Sequence, residues 1–255
     1  MKLTSVLSAF CIISFLTSYD LQAENKVTVN IRIAAPSSEP YVYLDKQSKP
    51  KGFLIDFFSL IEKQTGISAS ITVMPWVRGM HEVKFGQFDA LIPTLFTQER
   101  EKFLVYPDES LIDFQMVLLK RSEDKFTVNN IDDVGVEKII AKKRAMSLGK
   151  HFDDAERTGK ISVKEVRDHE HAIQMLVHSR VDLVACFESV SYYALDKLKL
   201  RDKVEVLALS NNSFPAYLAF SKPYANEHDV NDIIQKINQV KATPDYQALV
   251  DKYLQ

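Results

Sequence analysis

Residues 75–108 constrain this chain more than any other stretch, because they spell three elements in succession. From Trp76, Met80 and Val83 recur at helical spacing with Arg78, His81, Glu82 and Lys84 between them, and Gly86 supplies the stop. Residues 88–92 are apolar, too short a run for a helix and suited to a buried strand that Pro93 is expected to break. Thr97 is placed to cap the next helix, with Glu99 and Glu101 in its positively polarised first turn. The loop 93–97 therefore stands where the C-terminal end of a strand meets a helix N-terminus, the position at which open α/β sheets bind ligands. Arg100, one turn further on, is the first candidate for a ligand contact.

The rest of the chain repeats this alternation. Residues 28–35 read as a first strand followed by a Pro- and Ser-rich loop at 36–40, and Tyr41 and Tyr43 open a short second strand. Gly52 and Phe53 start a helix to about residue 65, with Phe53, Phe57, Leu60 and Ile61 on one face, and residues 68–74 alternate as a strand. Residues 114–120 form a strongly apolar strand, after which the chain turns polar to residue 138. Strands are then expected at 138–142, 161–166, 181–187 and 204–209, separated by helices at 152–157, 169–178 and 190–198. Residues 216–220 are one more strand, and helices at 230–240 and 246–254 follow, the last opened by Pro244. This order builds a mainly parallel sheet flanked by helices.

With 255 residues, 46% of them hydrophobic, the chain can build one large core or two small ones. Residues 1–23 read as a secretory signal peptide: Lys2, an apolar run over 6–16, and Ala23 as a small residue before Glu24. The apolar run falls short of the ~20 residues a membrane span needs. Cys11 is not preceded by the small residues of a lipoprotein site, so cleavage is expected rather than lipidation. Cleavage would remove Lys2 and Asp20 together and leave the net charge at −2, which argues against nucleic acid as a partner. Of the two cysteines only Cys186 would survive, in an apolar run, so neither a disulfide nor a Cys/His zinc site is expected.

An aromatic (Trp76), a helix, Gly86-Gln87-Phe88-Asp89, a strand and Thr97-Gln98-Glu99-Arg100 follow one another in a recognisable order. Further marks are Lys51-Gly52-Phe53-Leu54-Ile55-Asp56, Ser179-Arg180-Val181-Asp182-Leu183-Val184, Ala219-Phe220-Ser221-Lys222 and Tyr246…Lys252-Tyr253. Together they resemble the bacterial extracellular solute-binding proteins of the polar amino-acid class, the type II periplasmic binding proteins, over nearly the whole chain after the leader. The resemblance implies an α/β fold, a two-domain periplasmic-binding-protein-like clamp with two connecting strands and a ligand cleft between the domains. On that expectation residues 24–113 and 222–255 make a discontinuous first domain and residues 114–221 the second. The implied role is periplasmic capture of a small carboxylate-bearing solute, an amino acid by default, for the permease of an ABC importer. It implies no enzyme activity, no cofactor and no metal, and a monomer. The same clamp can instead dock on a membrane receptor as a sensor. A chain ending soon after its last helix is expected to deliver rather than to signal. The fold also hosts dehydratases of cyclohexadienyl carboxylates, for which Glu188 or Glu39 would be the acid.

The resemblance also names ligand contacts. Arg100 would grip a carboxylate with its guanidinium fork, and Trp76 would stack on the solute. Thr94 and Thr97 offer hydroxyl and N–H groups. Arg78 either reaches the same space or stays in solvent, and Tyr41 either lines the cleft or anchors the first loop. On the second wall Lys143, Arg144 and Ser147 follow the first strand, with Ala145 and Ser147 where the family usually has glycines. Phe187 stands at an expected Asp, and Ala35 or Pro36 where many members carry an acid for the ligand ammonium. Glu188 or Glu39 could replace those acids by a shift of register; otherwise the solute is a carboxylate without an α-amino group, or something larger. Asp56, Asp89 and Asp182 are read as partners of backbone N–H groups rather than of ligand.

Overall fold

The computed structural model describes residues 29–254, so the expected leader lies outside the described residues. The first strand, β1 (Asn30–Ala35), is followed by the loop 36–42 and a small hairpin of β2 (Tyr43–Leu44) and β3 (Pro50–Lys51). Helix α1 (Phe53–Thr65) then buries Phe53, Leu54, Phe57, Phe58 and Ile61, the face its sequence periodicity marks. Next come β4 (Ser68–Val73), α2 (Trp76–Lys84), β5 (Ala90–Leu95), α3 (Gln98–Glu101) and β6 (Leu104–Val105). Strand β7 (Ile112–Arg121) leads into β8 (Ile139–Lys143), α4 (Lys150–Arg157), β9 (Ser162–Val166), α5 (His169–Val177), β10 (Leu183–Phe187) and α6 (Glu188–Leu198). The chain returns on β11 (Val204–Ser221) and ends in α7 (Lys222–Glu227), α8 (Val230–Lys241) and α9 (Pro244–Tyr253).

The main sheet runs β4-β1-β5-β11-β7-β10-β8-β9, with β6 on the side of β11. Its two ends are three-stranded and parallel, β4-β1-β5 and β10-β8-β9. Between them β11 and β7 run antiparallel to their neighbours and to each other. The result is a two-domain clamp: two parallel lobes joined by two long strands. The first lobe is closed off by α1 against α8 and α9, where Phe57 and Tyr246 meet at 4.9 Å between ring centres. The second packs α5 and α6 on Val117, Leu119, Val184 and Cys186. No described helix is long and apolar enough to cross a membrane.

Three local expectations are corrected. Pro93 does not break its strand, because β5 continues through it to Leu95. Beyond Leu91 this strand has lost β1 as a partner, and its ladder with β11 shifts register between Tyr217 and Ala219, so no bond needs a Pro93 N–H. The strands expected at 204–209 and 216–220 are one element, β11, which absorbs its irregularity as a register shift between Ala208 and Ser213. Helix α7 was not anticipated; Ser221 caps it and a proline opens it.

Candidate functional site

In a parallel sheet the C-terminal strand ends open onto the face where loops leave for helices, and both lobes turn that face toward the junction. The loops after β1, β5, β8 and β9 and the end of β10 converge there around a cavity of about 120 Å³. Its first-lobe wall is Pro36, Ser37, Ser38, Trp76, Pro93, Leu95 and Arg100, and its second-lobe wall is residues 143–147, His169 and Phe187. Phe114, at the start of β7, stacks on Phe187 with ring centres 4.4 Å apart.

Arg100 is set by Thr97, whose side chain caps α3 by accepting the Arg100 N–H at 3.3 Å. Its Nη1 donates to the Leu95 carbonyl at 2.8 Å, and the guanidinium lies 4.9 Å from the centre of the Trp76 ring. Burial holds its pKa below the ordinary guanidinium value. Among the described residues no carboxylate lies within ion-pairing distance of it; Asp153, which acts on it through space, is engaged by Ser147 Oγ at 2.5 Å and the Leu148 N–H at 3.1 Å. A largely desolvated cation facing an open cavity without an anion is a carboxylate-binding arrangement.

On the opposite wall the period-two alternation of β8 separates two neighbouring lysines. Lys142 turns to Glu156 on α4 at 2.5 Å, while Lys143 turns to the cavity and donates to the Ser37 carbonyl across the junction at 3.1 Å. Burial lowers the Lys143 pKa. The turn that follows carries Ala145 at φ 58°, a left-handed conformation of the kind glycine usually supplies. Gly149 ends it at φ 93°, where a Cβ would stand 2.1 Å from Phe214. His169 opens α5 beside Lys143; it is buried, its Nδ1 has no partner, and burial, then Lys143, push its pKa down to about 3.

Of the ligand contacts expected from sequence, Arg100, Trp76, Lys143, Arg144 and Ser147 line this cavity. Arg144 does so from the rim, three-quarters exposed and 3.9 Å from Glu165. The others do not line it. Thr94 is buried and spends its hydroxyl on the Leu91 carbonyl at 3.0 Å, and Thr97 serves as the cap. Tyr41 lies in the core, 5.0 Å from Phe114 between ring centres, with its hydroxyl bonded to Ser189; burial pushes its pKa up to about 12. Arg78 points to solvent, 3.6 Å from Glu82. Glu188 begins α6 outside the cavity, and Glu39 turns away to Lys197 at 3.0 Å. Among the described residues, therefore, no carboxylate lines the cavity.

His169 is a polar lining residue that local pattern missed, and Leu95, Phe114 and Met146 are apolar ones. The signal for His169 is its place, just past the C-terminal end of β9. Asp56, Asp89 and Asp182 are occupied elsewhere, by Lys252 and Tyr253, by Arg32, and by the Ile139 N–H. Cys186 is buried, with its thiol pushed up to about 12. A larger cavity of about 340 Å³ adjoins on the far side of Ser37 and Ser38 and shares Lys143 and His169 with the first; its acids are already engaged, Glu39 and Glu170 by Lys197 and Asp168 by Arg167. Among the described residues no group of His, Cys, Asp and Glu could hold a metal ion.

The sequence model of the bacterial extracellular solute-binding proteins, family 3, matches residues 31–255. No curated protein matches the chain. Solved structures do. An ancestral amino acid-binding protein, a precursor of cyclohexadienyl dehydratase, is 19% identical, with a TM-score of 0.70 over 89% of this chain and 95% of its own. The substrate-binding protein of an amino acid ABC transporter is 21% identical, with a TM-score of 0.68 over 88% and 98%. A histidine kinase sensor domain similar to periplasmic binding proteins is 15% identical, with a TM-score of 0.73 over 88% and 96%. At such identities the likeness is one of fold.

Proposed function

The chain belongs to the bacterial extracellular solute-binding proteins, family 3, and from that premise we propose that it captures a small carboxylate-bearing solute in the periplasm and delivers it to the permease of an ABC importer. The carrying observation is Arg100, a largely buried guanidinium at the junction of two lobes with no carboxylate of its own. A solute carboxylate would complete it, and the same solute would touch residues 143–147 on the other lobe. Ligand bound to both walls favours the closed clamp by its differential affinity for that state. On this reading the domains divide at 113/114 and 221/222, the chain acts as a monomer, and it performs binding without chemistry.

A sensory role has support in the histidine kinase sensor domain among the structural relatives. Co-purification with a permease, as against a receptor, separates the two. The dehydratase reading draws on the ancestral relative, but Glu39 and Glu188, its candidate acids, are turned from the cavity.

The test is thermal unfolding against a panel of carboxylates and amino acids. A solute at about 100 times its Kd should stabilise by about 2.7 kcal/mol. Arg100→Ala should abolish the shift; a shift that survives the substitution would refute the assignment.

A further inference from the structure

We propose that the solute is a small dianion, two carboxylates on an apolar spacer with no α-ammonium group, held by Arg100 on one lobe and Lys143 on the other. This rests on the solute-binding reading and names the ligand class of that same site. Among the described residues three cations line the cavity, Arg100, Lys143 and Arg144, and no carboxylate does. Arg144 has Glu165 near it at the rim, but Arg100 and Lys143 have no carboxylate within ion-pairing distance among the described residues. Asp168, the acid that acts on Lys143 through space, is committed to Arg167 at 2.6 Å and to the His171 N–H at 2.8 Å. Two largely buried cations facing one cavity from opposite walls are each stabilised by an anion, and a solute with a carboxylate at either end offers one to each.

An α-ammonium would find no acceptor to match its charge. The Leu95 carbonyl is taken by Arg100 Nη1 and the Tyr106 hydroxyl, and the Ser37 carbonyl, uncharged, already accepts from Lys143 Nζ. The serine hydroxyls that remain carry no charge, and a buried ammonium beside three cations needs one. Lys143 Nζ, with three donors and one spent on Ser37, keeps two for a carboxylate. The imidazole of His169 adds an independent sign of a polar ligand: it is buried at the cavity wall with Nδ1 unpartnered. Between the two cations the walls are apolar, formed by Trp76, Pro93, Leu95, Phe114, Met146 and Phe187, which fits a hydrocarbon spacer.

The test uses matched pairs that differ only in the amino group: succinate with aspartate, glutarate with glutamate, adipate with 2-aminoadipate. Titration calorimetry should find the best dicarboxylate binding roughly tenfold or more tighter than its amino counterpart, since burying an unmatched ammonium is costly. Lys143→Met should weaken that dicarboxylate by roughly tenfold or more, a buried charge pair having lost one partner. The same substitution should weaken the corresponding monocarboxylate by a clearly smaller factor, because its one carboxylate is held by Arg100. An amino acid that binds more tightly than its deaminated partner would overturn the dianion and leave solute binding standing. Equal losses for mono- and dicarboxylate in Lys143→Met would overturn Lys143 as the second anchor. Binding of none of these solutes would overturn both readings.

Discussion

Glu39→Gln tests whether the loop after β1 works as a clasp between the lobes. Glu39 Oε2 lies 3.0 Å from Lys197 Nζ on α6, and Lys197 is also 2.6 Å from Glu170 on α5 of its own lobe. The substitution therefore weakens the cross-lobe half of the network and keeps the other. Side-chain exposures of 45% for Lys197 and 29% for Glu39 leave the pair within reach of solvent, so its worth is about 0.5–1 kcal/mol. That is a change of about two- to fivefold in the ratio of clasped to open forms, and solute affinity weakens by at most that factor. Calorimetric Kd values for wild type and Glu39→Gln should differ by that amount at low salt. They should converge at roughly 1 M salt, where screening acts over about 3 Å. Small-angle scattering of the unliganded variant should show a larger radius of gyration under the same low-salt conditions. A loss of tenfold or more that persists at high salt, confined to amino acids, would refute the clasp and make Glu39 a contact for the ligand ammonium.

Three further outcomes follow from the same geometry. Arg100→Met should change the unfolding free energy of the solute-free protein by no more than about 1 kcal/mol, because losing a hydrogen bond and a cation–π contact is offset by removing a desolvated charge. The Leu95 carbonyl keeps Tyr106 as a donor; a drop of core-deletion size in urea unfolding would show that Arg100 is structural. Ala145→Gly should raise stability by about 0.5–1 kcal/mol, since φ 58° strains an alanine more than ordering costs a glycine; a fall in melting temperature would refute this. His169 has a folded pKa of about 3 against an ordinary 6.5. Its neutral form therefore stabilises the fold fully above pH 6.5, and that contribution is lost as pH falls toward the folded value, by up to about 1.4 kcal/mol per pH unit. Lys143 deepens the effect and Asp168 opposes it. His169→Gln should flatten the decline in stability between neutral pH and about pH 5; an unchanged slope would refute the assignment.

Elements whose signal is local are legible in the sequence. Helix α1 shows Phe53, Phe57 and Ile61 at helical spacing, and that face is the buried one. Strands β1, β5, β8 and β10, the inner parallel strands of the two lobes, fall where expected to within a few residues. Failures arise where a neighbouring strand decides. Pro93 reads as a strand breaker, yet it stays within β5 because the ladder beside it is irregular. The two apolar pieces of β11 read as separate strands because nothing local shows that both pair with β7 across a register shift.

The site divides along the same line. Arg100 is legible because a cap, a strand end and a cation fall within a few residues of one another. Glu39 and Glu188 look like replacements for missing acids because each stands close to a position where an acid is expected. Along extended chain, however, one residue of displacement turns a side chain to the opposite face. Lys142 and Lys143 demonstrate this on β8: one meets Glu156 on α4, the other the cavity. Glu39 is misplaced for a different reason: it stands in the turn after β1, where Ser38 still lines the main cavity and Glu39 faces Lys197. A carboxylate adjacent to the family position is therefore no substitute for one at it, and the cavity has gained no acid to balance its cations. The charge balance that defines the ligand class is a sum over loops from several separate strands, legible only once the fold fixes which way each side chain points.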